Sequence, residues 1–245
     1  MITGYGISRT IVVGCLLVCT KAFPASVELT GQVLDADGKP VAGAEVASFW
    51  QGEDERMKAF HSATTGPDGR FTFETSHYDS RIPVLAFDAE QQHGALLMLP
   101  TNYTGTPLPM KLGPLVTVRG QFTCQELGGA PGWCNAYFSL TEGDIRVVQS
   151  YSDNGAFFAK LPPGEYKVKG YGTDSVKGMT TNIVLRAGQP LLDMGKVDLP
   201  ASAIGRHYGK AAPPWHVTEA RGLPKNAQPA SRRGKWMVVE FWGFW

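Results

Sequence analysis

The sequence predicts an all-β protein made of two β-sandwich modules in tandem. Three observations carry this. Apolar and polar residues alternate with a period of two through the middle of the chain, the mark of half-buried strands. The 29 glycines and 17 prolines are scattered between short apolar runs without a fixed period, which marks many turns between short strands. The pattern also repeats. Residues 27–33 align with 116–122 at an offset of 89, and residues 68–73 align with 154–159 at an offset of 86. Each unit is therefore about 90 residues or less, the size of a small sandwich domain.

The bulk numbers agree. The 245 residues suit two or three small domains. Hydrophobic residues are 43% and charged residues 18%, an ordinary globular balance. A net charge of +1 gives no field that would gather nucleic acid or an anionic membrane.

At the N-terminus Arg9 is followed by the apolar run 11–19 and then by Ala22-Phe23-Pro24-Ala25. The run is shorter than the ~20 residues a bilayer crossing needs. Residues 1–25 read as a secretory signal cleaved after Ala25, which makes the protein periplasmic or extracellular. An uncleaved segment acting as a membrane tether is the alternative, and Val12-Val13-Gly14-Cys15 offers a lipidated variant of it.

The first unit spans 26–112. Val27, Leu29, Gly31 and Val33 share one strand face. Asp37-Gly38 is a turn, with 41–49 expected to return as a second strand. Residues 65–69 form another turn into strand 70–73, and residues 83–87 and 95–99 complete the unit. The second unit spans 113–200. Its turn at Pro162-Pro163-Gly164 leads into a strand at Tyr166, with the last strands expected at 181–186 and 196–199. No long helical period occurs between 26 and 200. Residues 201–208 read as a linker.

Gly31-Gln32-Val33, Asp37-Gly38-Lys39-Pro40-Val41-Ala42-Gly43-Ala44-Glu45-Val46 and Thr65-Gly66-Pro67-Asp68-Gly69-Arg70-Phe71 resemble the carboxypeptidase regulatory-like domain. The resemblance implies a transthyretin-like (immunoglobulin-type) β-sandwich with no enzymatic activity of its own, used as an accessory or spacer in exported proteins. The second unit keeps Gly120, Asp153-Asn154-Gly155 and Pro163-Gly164-Glu165-Tyr166 of that pattern.

Candidate chemistry is sparse. Asp35-Ala36-Asp37-Gly38 lacks the further oxygen ligands of a calcium loop and reads as a tight turn. His61, His77, His93, His207 and His216 have no metal-ligand spacing. No nucleophile elbow or phosphate loop is present. The reading therefore has no catalytic residue, no metal and no cofactor. Trp50, Trp133, Tyr137 and Phe138 are either a sugar-binding platform or core aromatics, and alternation favours the core. With Cys15 and Cys19 lost in the signal, Cys124 and Cys134 remain in an oxidising compartment. A hairpin of 116–124 with 134–140 would place them opposite one another, so a structural disulfide is expected, contributing about 2–3 kcal/mol. Asn102-Tyr103-Thr104 matches an N-glycosylation acceptor.

After residue 208 the pattern changes. Lys210-Ala211-Ala212-Pro213-Pro214 and Gly234-Lys235-Trp236 through Phe241-Trp242-Gly243-Phe244-Trp245 resemble the start of exported thioredoxin-like, TlpA-type thiol–disulfide oxidoreductases (redoxins). The resemblance implies that 209–245 is the truncated start of a thioredoxin-like α/β domain, with Cys-x-x-Cys expected just after Trp245. Two functions follow. The chain is the non-catalytic portion of an exported thiol–disulfide oxidoreductase, whose partner is a protein or disulfide substrate of the parent. Alternatively it is an exported adhesion or carbohydrate-binding β-sandwich protein with no redox role.

Overall fold

The computed structural model describes residues 26–76, 81–99 and 103–211, and between 214 and 236 all but 215, 217, 218, 220, 223 and 225. The expected signal 1–25, His77, Asn102 and the terminal stretch 237–245 lie outside the described residues. Within them every regular element is a strand or a short 3-10 turn, so the protein is all-β. A thioredoxin-like unit is not part of the described fold.

Two sandwiches follow one another. In the first, β1 (Ser26–Leu34) runs antiparallel to β6 (Arg70–Ser76) and parallel to β9 (Leu108–Lys111). This sheet faces one of five strands ordered β10-β8-β7-β2-β5. Its members are β2 (Glu45–Ala47), β5 (Ser62–Thr64), β7 (Ile82–Phe87), β8 (His93–Leu99) and β10 (Gly113–Pro114). Leu29, Val33, Phe71 and Phe73 from one sheet meet Val46, Val84, Ala86 and Leu99 from the other in a single core. The alternation read in residues 27–33 is what aims Leu29 and Val33 inward.

The second sandwich reproduces the plan. Its β11 (Val116–Thr123) runs antiparallel to β14 (Ala156–Leu161) and parallel to β17 (Leu191–Asp198). The facing sheet is built on β12 (Cys134–Leu140), β13 (Arg146–Ser152), β15 (Gly164–Gly172) and β16 (Met179–Leu185). The equivalence reaches single contacts. Val33 N donates to Gly69 O at 2.8 Å, and Phe122 N donates to Gly155 O at 2.8 Å. Both glycines have positive φ (72° and 84°) and press against the carbonyl of the residue they bond. A side chain at either would clash with backbone as well as strain the turn.

Residues 41–49 do not form one returning strand. Asp35 Oδ1 accepts the amides of Asp37 and Lys39 at 2.9 and 2.8 Å, and the turn is closed by the bridge Leu34–Pro40 and by Asp35 N donating to Lys39 O at 2.8 Å, with no strand directly following it. The chain then crosses to the other sheet as β2. The next hairpin, β3 (Trp50–Glu53) and β4 (Arg56–Ala59), leaves the first sandwich altogether. Strand β3 pairs in parallel with β13, so the second sandwich's sheet has six strands, β16-β15-β12-β13-β3-β4. Trp50 anchors the crossing. Its indole N–H is shared between Ala47 O and Leu85 O, each at 3.3 Å, and its ring meets Phe87 edge-on at 4.4 Å. Covered on both faces, β7 is buried at all six positions and reads as a continuous apolar run.

Strands β11 and β12 lie in opposite sheets, which corrects the expected hairpin of 116–124 with 134–140. A loop with a 3-10 turn at Gln125–Leu127 carries the chain between the sheets instead. Residues 201–208 pack on the second sandwich. Ala201 is buried and bridges Val176, and Arg206 grips Glu126 through two bonds of 2.8 and 3.0 Å.

Candidate ligand-binding face

The six-stranded sheet sorts its residues by parity. In β12 the even positions Cys134, Ala136 and Phe138 are buried, while Asn135 and Tyr137 turn to the outer face. In β13 Val148 and Ser150 are buried and Tyr151 is exposed. In β15 Tyr166, Val168 and Gly170 are buried and Tyr171 is exposed. Tyr151 and Tyr171 each keep 41% of their surface open.

Register places these groups in a line. Asn135 is paired with Tyr171 on one side and with Tyr151 on the other. Its Oδ1 is buried and has no hydrogen-bond partner among the described residues. The next outward row runs Lys169, Tyr137, Gln149, Gln51 and Lys58 across five strands. Tyr137 and Tyr171 meet with centroids 5.6 Å apart. The Arg146 guanidinium stacks between Tyr137 and Phe49, at 4.9 and 5.3 Å.

The charges on this face are largely paired. Lys58 binds Glu53 at 2.6 Å, and Lys167 and Lys169 both bind Asp144. The Lys169 hydrogen bond holds the Asp144 carboxyl below its ordinary range, and Asp144 in turn holds the Lys169 ammonium above its own.

At Tyr151 the face meets a cleft of about 670 Å³. Its walls are the β3–β4 turn, β13 and its following turn, the start of β14, β11 and β17. Tyr151 donates to Asp153 Oδ1 at 2.8 Å, and Arg119 binds Asp193 at 2.9 Å on the opposite wall. Hydroxyls, amides and carboxylates stand among apolar wall atoms in this concavity, beside the Tyr151 ring.

The residues singled out from sequence separate. Trp50 and Phe138 are core, with no exposed surface, whereas Trp133 is exposed and Tyr137 is on the outer face. Cys124 and Cys134 are free thiols, both buried in the second core. Burial pushes the Cys134 thiol up to about 11. His93 bonds Asp88 at 2.9 Å on the surface. Among the described residues no three His, Cys, Asp or Glu side chains converge on a metal position, and no helix is long and apolar enough to cross a membrane. Asn135, Arg146, Tyr151 and Tyr171 went unmarked in the sequence. Parity relative to Ala136, Ser150 and Gly170 was the available signal for Asn135, Tyr151 and Tyr171, whereas Arg146 shares the parity of buried Val148 and reaches the outer face through the register shift opposite Phe138 and Ser139.

No protein-family model and no curated protein matches the chain. Among solved structures, the Bacillus anthracis TIE protein covers 72% of this chain at 13% identity with a TM-score of 0.33, and this chain spans 34% of it. The shaft pilin spaA from Lactobacillus rhamnosus GG covers 73% at 10% identity and 0.32, over 99% of its own length. The Streptococcal ancillary pilin covers 73% at 10% identity and 0.29, over 63% of its own length. Superpositions at these scores carry no inference about this chain.

Proposed function

We propose that the chain is an exported, non-catalytic binding protein of the adhesion or carbohydrate-binding kind, displaying its ligand face on the six-stranded sheet. The observation that supports it is the row Tyr151–Asn135–Tyr171. Solvent-facing sheet surfaces are ordinarily plain polar. Here two open rings flank a buried amide oxygen that has no partner among the described residues, beside a cleft. The carboxypeptidase regulatory-like resemblance of the first unit suits such an accessory module. Binding to an array of glycans and surface proteins, wild type against Tyr151→Ala/Tyr171→Ala, tests it. Equal signals from the two proteins would refute the face.

On this reading Cys124 and Cys134 are joined after export. Both side chains lie in the same core, at the two ends of one short loop. The second reading, an accessory portion of a thiol–disulfide oxidoreductase, is supported by the resemblance of 209–245 alone. Insulin reduction by the whole gene product, with none by residues 26–208, is its expected signature.

A further inference from the structure

We infer that the occupant of this face is a neutral, ribbon-like polysaccharide crossing the strands, its alternate sugar rings stacked on Tyr151 and Tyr171. The inference rests on the binding-face reading and names its ligand. Tyr151 and Tyr171 flank Asn135 on its two neighbouring strands, so they stand two strand spacings apart, about 9–10 Å. A flat two-fold glycan ribbon presents every second ring with the same face down at nearly that interval. A curled α-glucan does not.

The polar groups agree with this. Sugar hydroxyls donate from every ring, and Asn135 Oδ1 is an acceptor without a donor among the described residues. An unpaired buried acceptor is costly, and turning the amide so that Oδ1 faces the ligand would pair it with a sugar hydroxyl. Gln149 and Gln51, in the neighbouring row, add further amide donors and acceptors alongside it. The charges point to a neutral chain. Lys58 is held by Glu53, Lys167 and Lys169 share the one carboxylate of Asp144, and Arg146 is stacked on rings, so these cations are engaged within the protein. At its far end the track reaches the cleft beside Tyr151, where Asp54, Glu55 and Asp153 outnumber Lys196 once the Arg119–Asp193 pair is set aside, a balance that would repel a polyanion.

Affinity electrophoresis tests this with hydroxyethyl cellulose, glucomannan, soluble starch and polygalacturonate in the gel. The wild-type protein is expected to be retarded by the first two, with little change on adding salt, and not by starch or polygalacturonate. Tyr151→Ala and Tyr171→Ala should each weaken retardation about tenfold or more. Tyr151→Phe and Tyr171→Phe, which keep the ring, should stay near wild type, and thermal unfolding confirms that all four variants are folded. Retardation by polygalacturonate alone, lost in salt, overturns the neutral ribbon. If the Ala variants abolish that retardation, the face still stands. Retardation unchanged by every tyrosine variant, or none with any probe, removes the face together with the ribbon.

Discussion

The Phe157 ring lies across Gly120, with its tip 2.3 Å from where a Cβ would stand, and Phe71 lies across Gly31 in the same way at 2.5 Å. The glycine–phenylalanine pairs occupy matching register positions in β1–β6 and β11–β14. Each lets a ring fold back over its neighbouring strand and fill the sandwich core. Gly120→Ala should therefore cost about 1–3 kcal/mol through overpacking. Adding Phe157→Leu should recover part of that loss, because the two sites are coupled. Urea unfolding of the two variants measures both. Additive losses would show that the ring does not depend on the bare backbone.

That pairing explains how much was legible in the sequence. Gly31 and Gly120 stood out as the fixed points of the repeat, and alternation around them gave the strand faces correctly. The turns at Gly69 and Gly155 were readable because positive φ restricts the residue choice. The excursion of β3 and β4 was not. Trp50 and Met57 are apolar residues that any core would accept, and nothing local says which of two adjacent cores takes them. The same limit hid the face proposed to bind ligand. Tyr151 and Tyr171 are 20 residues apart in sequence, and only the pairing of both strands with β12 aligns them about Asn135.

Gln91 holds the displaced hairpin in place. Its side chain accepts from Met57 N at 2.9 Å and donates to Met57 O at 2.7 Å, as a neighbouring strand would. Lys160 Nζ donates to Gln91 O at 2.9 Å, which ties the second sandwich to the same point. Gln91→Ala leaves two buried backbone groups unpaired and should cost about 2–4 kcal/mol. Gln91→Glu keeps the acceptor geometry but places a carboxylate against Met57 O, and should cost at least as much near neutral pH. Denaturant unfolding decides. A loss under about 1 kcal/mol would mean that water replaces the clamp.

Acid should destabilise the fold through a small set of carboxylates. At Asp88 burial works against ionisation, yet hydrogen bonds from the His93 ring and from the amides of His93 and Gln92 outweigh it and hold the group below 3.8. Glu126 is lowered by Arg206, and Asp193 by the Gly195 amide and then Arg119. A carboxyl depressed in the folded state stabilises fully above its unfolded pKa, and that contribution is lost as pH falls through the folded value. The melting temperature should be level from about pH 5 to 7 and drop below about pH 4. Asp88→Asn should melt lower than wild type at pH 7, with the gap narrowing at pH 3. A gap independent of pH would assign the loss to geometry rather than charge.

The two thiols offer a chemical check on the second core. Cys124 has no exposed surface and Cys134 has 2%. With its thiol near 11, Cys134 carries on the order of one thiolate in a thousand at pH 8. In the reduced protein freed of residues 1–25, and so of Cys15 and Cys19, disulfide reagents should therefore release no signal in buffer and two thiols per chain in denaturant. Protein recovered from an oxidising compartment should release none in either, with mass spectrometry placing Cys124 and Cys134 in one linked peptide. Fast release of a thiol from the folded, reduced protein would mean that the loop between β11 and β12 opens. Two thiols in the denatured, exported protein would refute the link. Where the link forms, it closes a loop short enough that its gain should be modest, about 2–3 kcal/mol. The reduced protein should thus remain folded and keep the outer face of the six-stranded sheet, because Asn135 and Tyr151 are held by strand pairing and not by the sulfurs.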